Sequence, residues 1–339
     1  MKAGRIDRVL LAHGGGGQLS AEFIERYLLP RFGKGIGELV DAAECTVSAG
    51  SLCFTTDSYV VKPLFFNGGD IGKLAVCGTV NDLAVCGARP LALCLSLIIE
   101  EGFEFELLER ILDSVAAAAD ENRVAVVTGD TKTVEAGAAD RIYLNTAGIG
   151  TKVEGAELGF RMIRPGDSVI VSGTIGDHGM AILSQREGIR FQSRVRSDCA
   201  GIADLSLALL DKTGAVKFMR DPTRGGLAAT LNEIARATGL SIEINEADVP
   251  VNAVVMGAAG MLGLDVLNIA NEGKLVAVVN AASAEDCLIC LRSSPLGAEA
   301  SIIGRVLESR GAPVVEMTTK IGGRRIVQMP YGRELPRIC

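Results

Sequence analysis

Val124-Ala125-Val126-Val127-Thr128-Gly129-Asp130-Thr131-Lys132 runs from an unbroken apolar, β-branched segment straight into a glycine and a carboxylate. Such a segment reads as a strand that ends at Gly129-Asp130. The pattern recurs on either side of it. Leu52-Cys53-Phe54-Thr55-Thr56 reads as a strand that delivers Asp57, and Val169-Ile170-Val171-Ser172 as one that Gly173-Thr174-Ile175-Gly176-Asp177-His178-Gly179 turns into a helix. Helical spacing appears between the strands: Leu19, Phe23, Tyr27 and Leu28 before Pro30, a helix through Val80 that Asp70 can cap, and a helix from Phe105 to Ala119. Leu91 to Ile99 and Arg141 to Ile149 are further strands. After 150–157 the chain restarts at Arg164-Pro165-Gly166-Asp167, with helices near 225–238 and 254–264 and strands near 275–279, 314–317 and 325–328. This alternation predicts a mixed α/β chain of two domains, 1–155 and 156–328, followed by a tail, 329–339.

Composition narrows the class of function. The 41 glycines and 4% aromatics, with no tryptophan, favour layers packed by small aliphatic residues. A net charge of −7, with no dense basic stretch, argues against a nucleic-acid partner. The opening Met1-Lys2-Ala3-Gly4-Arg5 lacks a following apolar run, and no run has the length of a spanning helix, so no membrane partner is expected. Nine cysteines, most in apolar contexts such as Leu93-Cys94-Leu95, read as free thiols of a reducing cytoplasm. Cys287 and Cys290 have redox or zinc spacing, but they lie on a helical apolar stripe and have no second pair, which favours packing. With only His13 and His178, zinc chemistry has few imidazoles to recruit.

Four carboxylates stand just beyond a strand or beside a glycine turn: Asp57, Asp82, Asp130 and Asp221. Carboxylate oxygens are hard ligands that suit Mg²⁺, and a ring of them needs a cation to offset its own repulsion. Turn and helix capping are the rival reading, most evenly balanced at Asp221-Pro222. The amides of Gly14-Gly15-Gly16-Gly17 could close over phosphate oxygens or form a plain lead-in, and Gly225-Gly226 precedes an apolar helix whose N-terminus favours an anion. Neither matches a Walker loop or a GxGxxG fingerprint. Lys132 is a cation where transferring phosphate would need one, Arg224 is a possible phosphate clamp, and Glu272 a possible base or ligand; each is equally an ordinary loop or helix-start residue. His13 and His178 stay open between functional and structural roles.

The tail ends Pro336-Arg337-Ile338-Cys339. Its prolines, glycine and charges predict a mobile arm with a solvent-facing thiol, and the eleven steps from Gln328 reach at most about 35 to 40 Å. A thiol there is a group fit to be worked upon.

Taken together, these motifs resemble the HypE family of hydrogenase maturation proteins, within the ATP-binding superfamily of aminoimidazole ribonucleotide synthetase and selenophosphate synthetase. The likeness covers nearly the whole chain: His13 to Gly17, Thr56-Asp57-Ser58, Asn81-Asp82-Leu83, Thr128 to Lys132, Ser172 to Gly179, Asp221 to Gly226, Asn271-Glu272-Gly273 and the Pro336 to Cys339 ending, which indicates this family within the superfamily. The resemblance implies a homodimer whose N-terminal sheets join in a barrel, with ATP near the dimer cleft. It implies carbamoylation of the last cysteine by HypF, ATP-dependent dehydration of that group to a thiocyanate, and delivery of cyanide to iron through the HypC–HypD complex. It carries catalytic roles to Cys339, Lys132 and Glu272, and nucleotide binding to Gly15, Gly16, Gly17, Asp57, Asp82, Asp130, Thr131, Arg224, Gly225 and Gly226. Mg²⁺ falls to Asp57, Asp82, Asp130 and Asp221. Two rivals are a superfamily ligase or kinase acting on a free small molecule, and a metallochaperone that consumes no ATP.

Overall fold

A computed structural model describes residues 17–23, 25, 43–47, 50–188, 195–211, 214–332 and 338–339. Its first strands are β1 (Ala43–Val47), β2 (Gly50–Tyr59), the short pair β3 (Phe65–Phe66) and β4 (Gly69–Asp70), β5 (Ala88–Glu100), β6 (Ala125–Val134) and β7 (Ile142–Lys152). Five of these form a sheet in the order β1-β2-β7-β5-β6. Only β5 and β6 run parallel, since the helix Phe105–Glu121 between them carries the chain back to its starting side.

The expected end of β6 at Gly129-Asp130 is a correction. β5 continues as its ladder partner out to Glu100 opposite Val134, so Gly129, Asp130, Thr131 and Lys132 all lie inside the strand. As the last strand of the sheet, β6 is open to solvent along nearly its whole length, with Val126 41% and Val127 65% exposed. Exposed Phe54, Leu91 and Ile98 belong to the same sheet.

Asp70 caps the helix Ile71–Val85 as its position suggests: its Oδ1 accepts from the amides of Gly72 at 2.8 Å and Lys73 at 3.1 Å. This helix extends beyond Val80 and is buried nearly all round, so it crosses the middle of the molecule rather than its surface.

A second sheet holds β8 (Ser168–Val171), β9 (Val216–Arg220), β10 (Ser241–Asn245), β11 (Val276–Val279), β12 (Ser301–Leu307), β13 (Val315–Thr318) and β14 (Arg324–Ile326), in the order β14-β13-β10-β12-β8-β11-β9. Sequence periodicity missed β9, β10, β12 and the helix Ala203–Leu210. Cys287 is fully buried in the helix Ala284–Arg292 and part of the core, in keeping with a packing role.

One apolar cluster joins the two halves, with Ile71, Leu74 and Cys77 on one side and Leu205, Leu209, Met219 and Ala277 on the other. Buried hydrogen bonds bolt the seam. Asn81 donates from Nδ2 to the carbonyls of Ala200 at 3.0 Å and Glu272 at 3.2 Å, and its Oδ1 accepts from the Ile202 amide at 2.8 Å. The turn that carries Glu272 is therefore held against the central helix, and the candidate site forms along this seam.

Candidate functional site

The last two residues lie in this seam. Ile338 is 7% exposed and packs in the shared core. Its carbonyl accepts from His178 Nε2 at 2.7 Å, and the Cys339 oxygen accepts from the Val60 amide at 3.2 Å. The expectation of a solvent-facing thiol is corrected: Cys339 is only partly exposed and packs against the core. The cause is Ile338, whose apolar side chain is more stable out of water than on a polar arm.

Cys339 shares its surroundings with several groups named from the sequence. Burial pushes its thiol up, Glu272 adds to this and Arg224 opposes it, and Asp57 and Asp221 push the same way as Glu272. Glu272 is 3% exposed, and its Oε1 has no hydrogen-bond partner. Burial first, and then the nearby Asp221, Asp198 and Asp57, hold its carboxyl well above the usual carboxylate range. Asp57 is likewise pushed up by burial, partly offset by Arg224 and by the Ser58 amide, which donates to Oδ1 at 2.7 Å. Asp82 accepts from Thr55 Oγ1 at 2.8 Å, and Asp221 is buried. Arg224 keeps solvent exposure, while Cys339 foremost, and then Asp57, Glu272 and Asp82, hold its guanidinium charged.

The turns that carry these groups are tied together by Asn271. Its Oδ1 accepts from the Gly176 amide at 2.7 Å, and its Nδ2 donates to the Pro222 carbonyl at 2.9 Å. Gly226 opens the helix Gly226–Thr238 with φ +60°, and a Cβ there would lie 2.6 Å from the carbonyl oxygens of Leu267 and Ile269. Gly225 and Gly226 thus have a structural reason to be glycine beside any ligand role. Gly17 begins the helix Gly17–Phe23, where a Cβ would collide with the Pro330 carbonyl oxygen. His13, Gly15 and Gly16 lie outside the described residues.

Asp130, Thr131 and Lys132 stand apart within this chain. The row that holds Asp57 runs through Thr146 and Leu95 to Gly129, so three strand spacings, roughly 14 Å, separate Asp57 from that edge. Lys132 Nζ sits 2.8 Å from the Asp130 carboxylate, and with the Thr131 amide it holds Asp130 below its ordinary value. Among the described residues, no three of His, Cys, Asp or Glu are gathered as a ready-made metal site.

Sequence reasoning missed several polar groups around Glu272 and His178, among them Ser197 and Asp198 on the loop 195–202. Asp198 accepts from the Glu272 amide at 3.1 Å and lies 3.5 Å from Lys274 Nζ, both side chains being buried. Ser197 meets His178 Nδ1 at 2.8 Å. The buried phenol of Tyr59 meets Thr79 at 3.3 Å, and burial followed by Asp57 and Asp82 pushes it up. The only signal for Lys274 was its place two residues after Glu272.

Residues 39–152 match the family model of the AIR synthase related protein, N-terminal domain, and residues 164–316 that of its C-terminal domain. The "Carbamoyl dehydratase HypE" of Cupriavidus necator is 46% identical over 341 residues, covering 100% of this chain and 96% of that protein. Among solved structures, one described as a HypE–HypF complex has a TM-score of 0.86 at 47% identity, covering 91% of this chain and 99% of the other. Another, described as hydrogenase maturation protein HypE in complex with ATP, has a TM-score of 0.83 at 43% identity over 98% and 100% of the two chains. With such identity sustained over essentially its whole length, the chain belongs to the HypE family of AIR synthase related proteins.

Proposed function

We propose that this chain is an ATP-dependent carbamoyl dehydratase whose substrate group is carried on its own Cys339. One observation carries the reading: the sulfur lies in its own chain, in the electrostatic company of Glu272, Arg224, Asp57 and Asp221. A desolvated, protonated thiol is a poor nucleophile but a sound anchor for a group to be transformed. A kinase or ligase acting on a free substrate would leave this docking without a purpose.

The chemistry starts from S–C(=O)–NH₂. An amide oxygen leaves poorly, so it takes the γ-phosphoryl group of ATP, forming a C–O–P link while nitrogen loses one proton. The C–O bond then breaks, phosphate departs with the electron pair, and nitrogen loses its second proton as S–C≡N forms. Glu272 is the assigned base, since burial raises its affinity for a proton. Arg224 offsets negative charge on the phosphates, and docking of Ile338 keeps water from the activated carbon.

The donor chemistry fits Mg²⁺: Glu272 has an unpartnered buried oxygen, and Asp57 and Glu272 both have raised proton affinities. Asp57, Asp82 and Asp221 would hold it as a few carboxylates completed by phosphate oxygens, with Asp130 the fourth residue of the assignment. Bound with the triphosphate, the ion would neutralise phosphate charge and relieve the repulsion among these acids.

Asp130 and Lys132 enter from a second copy in this reading. The open apolar face of β6 joins its counterpart in a homodimer, and ATP lies near the cleft between sheets. Residues 1–155 then bind nucleotide and dimerise, 156–328 complete the pocket, and 329–339 swing out to HypF for loading. The nitrile passes to the HypC–HypD complex, in a cytoplasm that keeps the thiols reduced. Intact-mass analysis after HypF and carbamoyl phosphate, then ATP, should show about 43 Da gained and about 18 Da lost at Cys339. A chain that never gains a terminal adduct would refute the reading.

A further inference from the structure

The imidazole of His178 has no place in the dehydration chemistry above, yet it makes a side-chain contact to the tail. It sits at the start of the helix Asp177–Arg186, wholly buried, with its ring edge-on to Phe66 at 5.5 Å and 87°. Its two nitrogens have assignable roles. The Ile338 carbonyl can only accept, so Nε2 must carry the hydrogen of that 2.7 Å bond. Burial keeps the ring neutral, so Nδ1 accepts. Ser197 supplies that hydrogen: its Oγ lies 2.8 Å from Nδ1 and itself accepts from the Cys199 amide at 3.1 Å. A chain of fixed polarity thus runs from the Cys199 amide through Ser197 and His178 to the peptide that joins Ile338 to Cys339.

We propose that His178, oriented by Ser197, is a positioning residue for the dehydration: it sets the register of the tail so that the group on Cys339 meets the Glu272 and Arg224 cluster. The proposal deepens the reading of Cys339 as substrate carrier and rests on it. Register matters because successive side chains of an extended segment point to opposite sides, so a slip of one residue turns the sulfur away. The Ile338 side chain gives affinity for the seam but no register, since an apolar contact is non-directional. The carbonyl hydrogen bond is directional, and it is made to the peptide immediately before the Cys339 Cα.

The test uses the full-length chain with two readouts. Alkylation of Cys339 by iodoacetamide, followed by peptide mass, reports docking without any turnover. Single-turnover loss of about 18 Da from HypF-loaded protein at saturating ATP reports positioning. H178L, which keeps the bulk and removes the donor, should alkylate at least about tenfold faster and dehydrate about ten- to hundredfold slower, with ATP affinity unchanged. H178Q retains an amide donor in place of Nε2 and should recover much of both. Should H178L fold poorly, S197A serves in its place, since it frees the ring to adopt the wrong tautomer; it should move both readouts the same way to a smaller degree. Wild-type dehydration rates in a folded H178L or S197A protein would overturn the proposal, as would a slowed rate with unchanged alkylation that H178Q does not rescue. If wild-type protein itself never loses the 18 Da, the dehydratase reading fails, and the alkylation contrast still decides whether His178 holds the tail.

Discussion

At the residue scale, Glu272 combines deep burial, an unpartnered oxygen and a raised proton affinity. A carboxyl whose folded value lies above its unfolded value of about 4.3 favours the fold while protonated. That contribution is complete below the unfolded value and is lost as pH climbs through the raised one. Gln keeps the shape and never ionises, so E272Q should separate stability from activity. Its melting temperature should fall less than wild type between about pH 5 and 8 in the absence of ligand, while dehydration slows by about 10²- to 10⁴-fold. A wild-type dehydration rate in E272Q would move the base to another carboxylate. Asp57, Asp82, Asp221, Arg224 and Glu272 could be named from sequence because each follows an apolar run or adjoins a glycine turn, although β2 continues past Asp57 to Tyr59 and the central helix past Asp82 to Val85. Ser197 and Asp198 could not, because nothing local marks them. Asp198 acquires its role only when the fold brings it to Glu272, 74 positions away.

At the scale of elements, the strands with long apolar runs were legible, and β9, β10 and β12 were not. Lys217, Glu243 and Arg305 interrupt those short runs on their less buried positions, so alternation replaces a continuous signal. The end assigned to β6 failed for a related reason: strand length is set by the ladder partner, and β5 continues past the glycine. Two substitutions test what these elements do. G226A places a Cβ against the Leu267 and Ile269 carbonyls at a positive φ, and should lower stability by roughly 1 to 3 kcal/mol in a denaturant titration. An unchanged midpoint would mean that the turn relaxes freely. V127E changes an exposed residue of β6, so the single-chain fold should survive. For the proposed homodimer, sedimentation should nonetheless show a shift to monomer, and dehydration should fall by roughly 10²-fold or more as the Asp130 and Lys132 proposed to enter from a second copy are lost. A V127E monomer with full activity would place all the chemistry within one chain.

For the molecule as a whole, the two sheets and the tail bring like charges together where water is scarce. Asp57 and Glu272 both have raised proton affinities, with burial the first cause at each and neighbouring acids adding to it at Glu272. At Glu272 a proton therefore stands in for the cation in the resting protein, partly neutralising a pocket whose contents would otherwise repel. Binding preformed Mg-ATP should reverse this, because carboxylates that face a divalent ion are favoured in the ionised form and give up their protons. Heats of binding measured near pH 7.5 in buffers of different ionisation enthalpy should show net proton release to the buffer. The release should shrink in E272Q, which has one titrating group fewer. It should persist when Lys132 is changed to alanine, since the buried acids that give up the protons are untouched. Proton uptake, or a heat independent of buffer, would mean that the buried acids are already ionised in the resting protein. Their charge would then have to be balanced by cations such as Arg224 and the buried Lys274.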